Sequence, residues 1–240
     1  FTRRAIRGDP LPARTLFTRD CVARRRSFEA GGARYNGSVI TFQGVANLLD
    51  GLTAIRTLVF EDHAIGRDEL VAALRADFAG FETIRRQLLR APAYGNGRTA
   101  EDTVSARVLE AACADILRQP HARGGVWLPS CIVFVTYGQA GETVGATPDG
   151  RKAKTPLADS AGPMFGRDRN GPTAMLRSVA ALPLSLMPGT PVVNLRFQKA
   201  LFASAESRNA IARLIRGFFT MGGLQCQITV ADSETLRAAQ

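Results

Sequence analysis

Four short apolar segments rich in β-forming residues lie far apart in the sequence, and segments with helical spacing of apolar residues separate them. Isolated strands joined through helices predict the α/β class, as part of a barrel or of an open sheet. The sequence shows no internal repeat and no linker, so we expect residues 1–240 to form a single domain. The predicted strands are 38–42, 126–137, 191–197 and 224–230.

Helices are predicted from apolar residues at intervals of three or four and from the residues at their ends. Pro172 suits the first turn of one helix, Gly222 with its neighbour ends another, and Asp232 is a candidate N-cap for the last. The predicted helices are 13–27, 45–60, 67–79, 81–89, 99–118, 171–181, 204–221 and 232–240.

The chain is basic, with a net charge of +10 that comes almost wholly from arginine, since only positions 152, 154 and 199 are lysines. A basic surface can bind nucleic acid. Here the arginines are scattered, and the densest run, at 24–26, lacks the interleaved aromatic residues of a single-strand-binding surface. We therefore predict no nucleic-acid partner. No apolar run approaches the ~20 residues of a membrane span, which predicts a soluble, cytoplasmic protein with no membrane partner.

Generic site signatures are absent. The cysteines form no CxxC pair, and the histidines have no partner at metal-ligand spacing, so we expect neither a metal site nor a disulfide framework. GGLQCQ departs from the GxGxxG fingerprint, and GNGRT lacks the lysine of a phosphate-binding loop. The cysteines and histidines are Cys21, Cys113, Cys131, Cys226, His63 and His121.

The polar segment ATPDGRKAKTPLADS, residues 146–160, lies between apolar segments. Its turn chemistry is clear, because Pro148 fixes φ, Asp149 caps its own backbone and Gly150 accepts positive φ. Arg151 is predicted to form a fork to Asp149 or Asp159. We interpret the segment as a rigid structural brace built on Asp149, Gly150 and Arg151. Direct contact with a substrate is the alternative, and phosphate binding by the two cations at 151 and 152 is less favoured still.

An ordered series of strings over about residues 17–240 resembles the C-terminal half of the glycyl radical enzymes, the pyruvate formate-lyase-like family. The strings are GGARYN, DGLTAIRTLVFED, TPDGRKAKTPLADSAGPMFGRDRNGPTAMLRSVAALP, VVNLRF, LIRGFFTMGG and SETLRAAQ.

The resemblance implies a ten-stranded α/β barrel in which two loops meet, one carrying a cysteine and the other a glycine. It implies that a radical-SAM activating enzyme, with an iron–sulfur cluster and S-adenosylmethionine, removes hydrogen from the glycine. The glycyl radical then makes a thiyl radical on the cysteine, which abstracts hydrogen from a small organic substrate. A closed barrel suits such radicals, which must be kept from water and oxygen. The implied intact enzyme is a homodimer and binds no cofactor directly.

Neither radical residue is expected within these 240 residues. The family's radical glycine lies in an RVxGY-type string beyond the equivalent of SETLRAAQ, and no such string occurs here. The catalytic cysteine of the family lies upstream, and Cys21 matches a different string. The resemblance therefore assigns no catalytic residue to this sequence. We expect a partial domain, truncated before the radical glycine, that is inactive alone.

The resemblance places a substrate-facing side chain near Tyr137, whose hydroxyl is a donor on a rigid ring. Phe134 in the same apolar segment, and Asn36, Thr41 and Phe42 in the other candidate wall strand, complete the predicted substrate-binding set. The alternative for each is packing within the core.

The implied function is radical lyase, dehydratase or formate acetyltransferase-type chemistry on a small organic substrate. One alternative is radical addition of the arylalkylsuccinate (benzylsuccinate) synthase type. Another is a non-catalytic relative that serves as a binding or inert domain.

Overall fold

Helices alternate with strands along the chain. The computed structural model describes residues 12–97, 99–232, 234 and 237, with only the backbone at 99–105. The strands are β1 (Gly37–Thr41), β2 (Val126–Ser130), β3 (Val192–Gln198) and β4 (Gln225–Ala231). The α-helices are α1 (Pro12–Phe17), α2 (Val45–Ile55), α3 (Arg67–Arg75), α4 (Glu82–Arg90), α5 (Thr99–Arg118), α6 (Thr136–Thr143), α7 (Gly171–Ala180) and α8 (Ala205–Thr220). A π-helical segment, Arg56–Glu61, continues α2, and 3₁₀ turns lie at Leu184–Leu186 and Lys199–Phe202.

The strands form a parallel wall in chain order. β1 pairs with β2 over its whole length, and β3 pairs with β4 in the same way. Cys131, immediately after β2, bridges in parallel to Pro191, immediately before β3. The two pairs are thus joined with a stagger along the strand direction, as the strands of a barrel are. The α/β prediction is confirmed.

The main core lies between one face of this wall and the helices. The alternate residues of β3 that begin at Val193 pack against α2, α5, α7 and α8. The buried members from these helices include Leu49, Leu109, Leu176, Ile211 and Phe218. A smaller apolar cluster joins the end of α2 to α3 and α4, and its largest member is Phe78. The strands therefore present their other face away from the helices.

Most predicted helices are confirmed within a few residues, but the helix predicted at 13–27 is wrong beyond Phe17. The chain turns at Asp20, whose φ is 73°. The reason lies outside the local sequence, because Asp20 Oδ2 accepts a 2.6 Å hydrogen bond from Arg34 Nε, fourteen residues along the chain. The helix predicted at 67–79 likewise ends early, at Arg75. The helix predicted from Asp232 falls largely outside the described residues.

The strand predicted at 126–137 is also too long, since β2 ends at Ser130. Beyond the Cys131 bridge, the backbone N–H of Val133 donates to Ser160 Oγ at 3.2 Å instead of to a neighbouring strand. Phe134 then takes a φ of 39°, and the chain enters α6 at Thr136. The apolar residues 134 and 135 are consequently exposed at a turn rather than buried in a strand.

Candidate functional site at the polar face of the wall

The face of β3 turned away from the helices is polar. Because successive side chains of a strand point to opposite faces, Asn194 and Arg196 project from the side opposite the core residues that alternate with them. The parallel register with β4 adds two more polar residues to this face, Gln227 and Thr229.

Asp159 organises this polar face. Its side chain is buried, and Oδ2 accepts a 2.8 Å hydrogen bond from Asn194 Nδ2 and pairs with Arg196 Nη2 at 3.4 Å. Oδ1 accepts from Ser160 Oγ at 3.0 Å, and the same hydroxyl accepts from the Val133 N–H. The carboxylate therefore fixes both β3 side chains, while 57% of the Arg196 side chain stays exposed.

An aromatic pair extends the cluster toward α6. The Phe165 ring lies with its centroid 5.7 Å from that of Tyr137. The guanidinium carbon of Arg196 lies 5.8 Å from the Phe165 ring centroid, within the range of a cation–π contact. Tyr137, Phe165, Arg196 and Asp159 thus form one continuous set of contacts.

A cleft of about 510 Å³ opens beside this set. Asp159, Asn194, Arg196 and Phe165 line it together with apolar residues from β3 and α7. Its volume is that of a small-molecule site. The exposed guanidinium and the amide can donate hydrogen bonds to an oxygen-bearing molecule, and the aromatic ring offers an apolar surface. We call this the Asp159 cleft.

Among the predicted substrate-binding residues, Tyr137 lies nearest to this cleft. It occupies the first turn of α6, so its prediction as a residue at a strand end is wrong. Phe134 lies in the turn just before, and it is 57% exposed. Both lie beyond the carboxyl end of β2, and Tyr137 is itself one member of the aromatic pair. A role in substrate binding stays a prediction for each.

The other three predicted residues lie apart from the cleft. Thr41 and Phe42 are adjacent, so they point to opposite faces of β1 and its extension, and Phe42 packs against the main core. The Asn36 amide donates to the carbonyls of Gly31 and Ala33 at 3.2 and 3.0 Å, which closes the turn before β1. Only Thr41 is on the face of the wall turned away from the helices.

The loop at 146–160 is built around the buried Asp149 carboxylate. Oδ2 accepts a 2.6 Å hydrogen bond from Asn47 Nδ2 on α2, and Oδ1 accepts from the Thr147 hydroxyl and from the Arg151 N–H. Gly150, with φ 85°, closes the turn by donating its N–H to the Thr147 carbonyl at 2.9 Å. These contacts fasten the turn to α2.

The fork predicted from Arg151 to Asp149 or Asp159 is wrong. The buried guanidinium donates instead to the backbone carbonyls of its own loop, including Thr155 O at 2.6 Å and Lys152 O at 2.9 Å. The Asp149 carboxylate already accepts three other donors, and Asp159 is occupied by the β3 side chains. Burial lowers the pKa of Arg151, and the charges of Asp149 and Asp77 partly oppose that shift.

Two buried thiols lie in the core behind the wall. Burial raises the pKa of Cys113 to about 11. Burial, followed by the charges of Cys113 and Asp159, raises the pKa of Cys131 to about 12. Thiols that stay protonated at neutral pH are poor nucleophiles.

Across the described residues, no group of three or more His, Cys, Asp or Glu side chains is placed to hold a metal ion. No helix among those residues is long and apolar enough to cross a membrane.

Sequence reasoning missed Phe165, Asn194 and Arg196 as members of the cleft. The strand string VVNLRFQ did contain a signal, since its polar residues recur at every second position from Asn194 and so mark one polar face. The position of Phe165 had no such signal, because it depends on how the loop before α7 folds over the wall.

Residues 7–141 match the family described as Pyruvate formate lyase-like. The chain belongs to the pyruvate formate lyase-like family. Residues 157–240 match a second family, described as Glycine radical. The predicted resemblance to glycyl radical enzymes is thereby confirmed.

Two curated relatives in this family are dehydratases. The chain is 31% identical over 232 residues to trans-4-hydroxy-L-proline dehydratase of Clostridioides difficile, covering 96% of this chain and 29% of that protein. It is 36% identical over 233 residues to the probable dehydratase YbiW of Escherichia coli (strain K12), covering 92% of this chain and 28% of that protein. The chain therefore spans less than a third of the length of these pyruvate formate lyase-like relatives.

Solved structures of glycyl radical enzymes share the fold. The chain superposes on the B12-independent glycerol dehydratase of Clostridium butyricum, determined with glycerol bound, with a TM-score of 0.93 and 32% identity. The superposition covers all of this chain and 30% of that one. The likeness extends over the entire wall and its helices, which confirms the prediction of part of a pyruvate formate lyase-like α/β barrel.

Proposed function

We propose that this chain forms part of the chamber wall of a glycyl radical dehydratase or lyase that acts on a small organic substrate. The observation that supports this most is the likeness of nearly the whole chain to two dehydratases at 31% and 36% identity. The Glycine radical match at 157–240, which contains the Asp159 cleft, supports radical chemistry in particular.

In this proposal the Asp159 cleft receives the oxygen-bearing end of the substrate. Arg196 and Asn194 donate hydrogen bonds to it, and Asp159 is a positioning residue that holds both donors. Tyr137 and Phe165 provide an aromatic side wall that excludes water. The glycyl radical, by way of a cysteine thiyl radical, would supply the abstraction of a hydrogen atom from the substrate, which polar side chains alone cannot perform.

The proposal includes the partners that such chemistry needs. A radical-SAM activating enzyme, with an iron–sulfur cluster and S-adenosylmethionine, would install the radical, and the working enzyme would be a cytoplasmic homodimer. Formate acetyltransferase-type chemistry and radical addition of the arylalkylsuccinate type are the competing reactions.

The test is anaerobic activation of the protein as its gene encodes it, with its cognate activating enzyme, followed by electron paramagnetic resonance. We expect the doublet of a glycyl radical. Product analysis with vicinal diols, hydroxyproline and fumarate-plus-arene mixtures then separates dehydration from radical addition. Absence of the signal under conditions that activate a known dehydratase would contradict the proposal and favour the non-catalytic alternative.

The role of the cleft is tested with Arg196→Gln in the activated protein. Losing a charged donor to the substrate should lower kcat/KM by roughly tenfold or more, with an unchanged radical signal. Arg213→Gln removes the same charge from an exposed position on α8 and should leave kcat/KM unchanged. Equal activities of the two variants would remove Arg196 from the site while leaving the radical chemistry standing.

A further inference from the structure

A second cavity lies where the end of α4 meets the segment that leads into α7. Its volume is about 250 Å³, and it shares no lining residue with the Asp159 cleft. That volume is enough for a small oxyanion with several waters, since one water occupies about 30 Å³. The proposed radical chemistry makes no use of this cavity.

The cavity is strongly cationic. Arg90, Arg167 and Arg169 line it, and none of its lining residues is Asp or Glu. Asp168, between two of these arginines in sequence, lines the Asp159 cleft instead. Within the described part of the chain, the exposed guanidinium groups of Arg90 and Arg169 form no hydrogen bond or ion pair, and Arg169 is held only through its backbone N–H. Among the described residues, therefore, two cations line the same space and no acidic residue lines it with them.

The third cation is rigid and buried. Arg167 donates to Asp149 O at 2.7 Å and to Ala91 O at 3.4 Å, and its Nε lies 3.6 Å from Asp50 Oδ2. Because a guanidinium carries five N–H groups, these contacts leave further donors of Arg167 unused. Its fixed position gives the cavity a pre-organised floor.

The rim is held by one amide side chain. Asn96 Nδ2 donates to Arg167 O at 2.8 Å, and Asn96 Oδ1 accepts from the backbone N–H groups of Arg169 and Asn170 at 2.8 and 3.2 Å. The backbone that carries the arginines is thereby tied to the segment after α4. A cavity whose walls are already ordered loses less entropy when a ligand binds.

We propose that this cavity binds a phosphate group, either as inorganic phosphate or as the end of a small phosphomonoester. Guanidinium groups suit this ligand because their planar N–H forks match the oxygens of phosphate in pairs. Three of them around one small space can contact different oxygens of the same tetrahedral group. The site shares no lining residue with the Asp159 cleft, so phosphate binding can be tested independently of the proposed radical activity.

Isothermal titration calorimetry at low ionic strength tests this on the protein as its gene encodes it, with inorganic phosphate and ribose 5-phosphate as probes. We expect saturable binding of one equivalent, competed by sulfate and weakened by added salt. Tighter binding of ribose 5-phosphate would assign a phosphomonoester, and tighter binding of inorganic phosphate would assign the free ion. Titration that does not saturate for either probe would overturn the proposal.

Charge-reversal variants locate the site. Arg169→Glu and Arg90→Glu should each weaken binding by roughly tenfold or more, and Arg169→Lys should weaken it less because the charge remains. Arg75→Glu is the matched control, since Arg75 is an exposed arginine in the last turn of α3, as Arg90 is in α4. Thermal unfolding of each variant establishes that it is folded. Equal affinities of Arg169→Glu and Arg75→Glu would refute the assignment.

Discussion

Arg151→Ala is the most informative change in the loop at 146–160, because this one side chain donates to main-chain carbonyls on both sides of the turn. The Arg151 residue is 4% exposed. Its guanidinium donates to the carbonyls of Val144, Gly145, Lys152 and Thr155, four oxygens on two sides of the turn. Alanine removes all of these donors together and leaves a space in their place.

The expected loss is large. A hydrogen bond to a charged group contributes about 1.5–3 kcal/mol, and a buried acceptor left without a donor costs a similar amount. Water can reach part of the loop and replace some donors, so we count two of the four contacts and expect a loss of about 3–6 kcal/mol. Folded domains have only about 5–15 kcal/mol in total. Arg151→Lys should lose less than alanine but more than a surface change, because one ammonium cannot span all four carbonyls.

Urea unfolding provides the measurement. With a slope of about 2 kcal/mol per molar, a loss of about 4 kcal/mol lowers the midpoint by about 2 M. Lys152→Ala removes a cation from the adjacent, exposed position and should change stability by less than about 0.5 kcal/mol. If Arg151→Ala unfolds at the same urea concentration as Lys152→Ala, the Arg151 guanidinium does not stabilise the loop and the argument from its four contacts is refuted.

Two further changes test the core and the turn. Burial raises the pKa of the Cys113 thiol to about 11 and that of the Cys131 thiol to about 12, from a usual value of 9.0. The stability that these protonated, buried thiols contribute is therefore complete below pH 9 and is lost as the pH rises toward the two raised values. Urea midpoints should fall over that interval, and iodoacetamide at pH 8 should label neither thiol in the folded protein; rapid labelling of either would contradict the burial. Gly150→Ala should destabilise by about 1–3 kcal/mol in the same urea assay, because φ is 85° and the new methyl would lie 2.9 Å from Leu89 Cγ. Gly145→Ala, where the added methyl meets nothing within 4 Å, should differ little from the parent, and equal losses in the two would refute the steric argument.

Element types were predictable from the sequence because they depend on local patterns. The apolar spacing at 45–60 predicted a helix, and the structure has α2 followed by a π-helical segment over that stretch. The N-cap Ser204, which accepts a hydrogen bond from the Ser207 N–H, marks the start of α8 close to its predicted place. These signals lie within a few residues of the structure that they determine.

The predicted ends of helices and strands were wrong where a contact with a residue distant in the sequence determined the path of the backbone. The helix from residue 13 stops before Asp20, which bonds to Arg34, and β2 stops before Val133, which bonds to Ser160. The same limitation affected the site. The polar alternation that includes Arg196 was visible in the string, but its counter-ion Asp159 lies 37 residues away and could be assigned only in three dimensions.

Two of the arginines, Arg151 and Arg167, are buried and have a structural role. A polar loop can be buried only if its backbone groups have partners within the protein. Arg151 and Arg167 supply them by donating to main-chain carbonyls from both sides of Asp149, whose carboxylate is held in turn by Asn47. Lysine, a point charge with three donors, could not reach so many carbonyls at once. These two buried arginines are part of the internal structure of the barrel wall, whereas Arg90 and Arg169 are exposed.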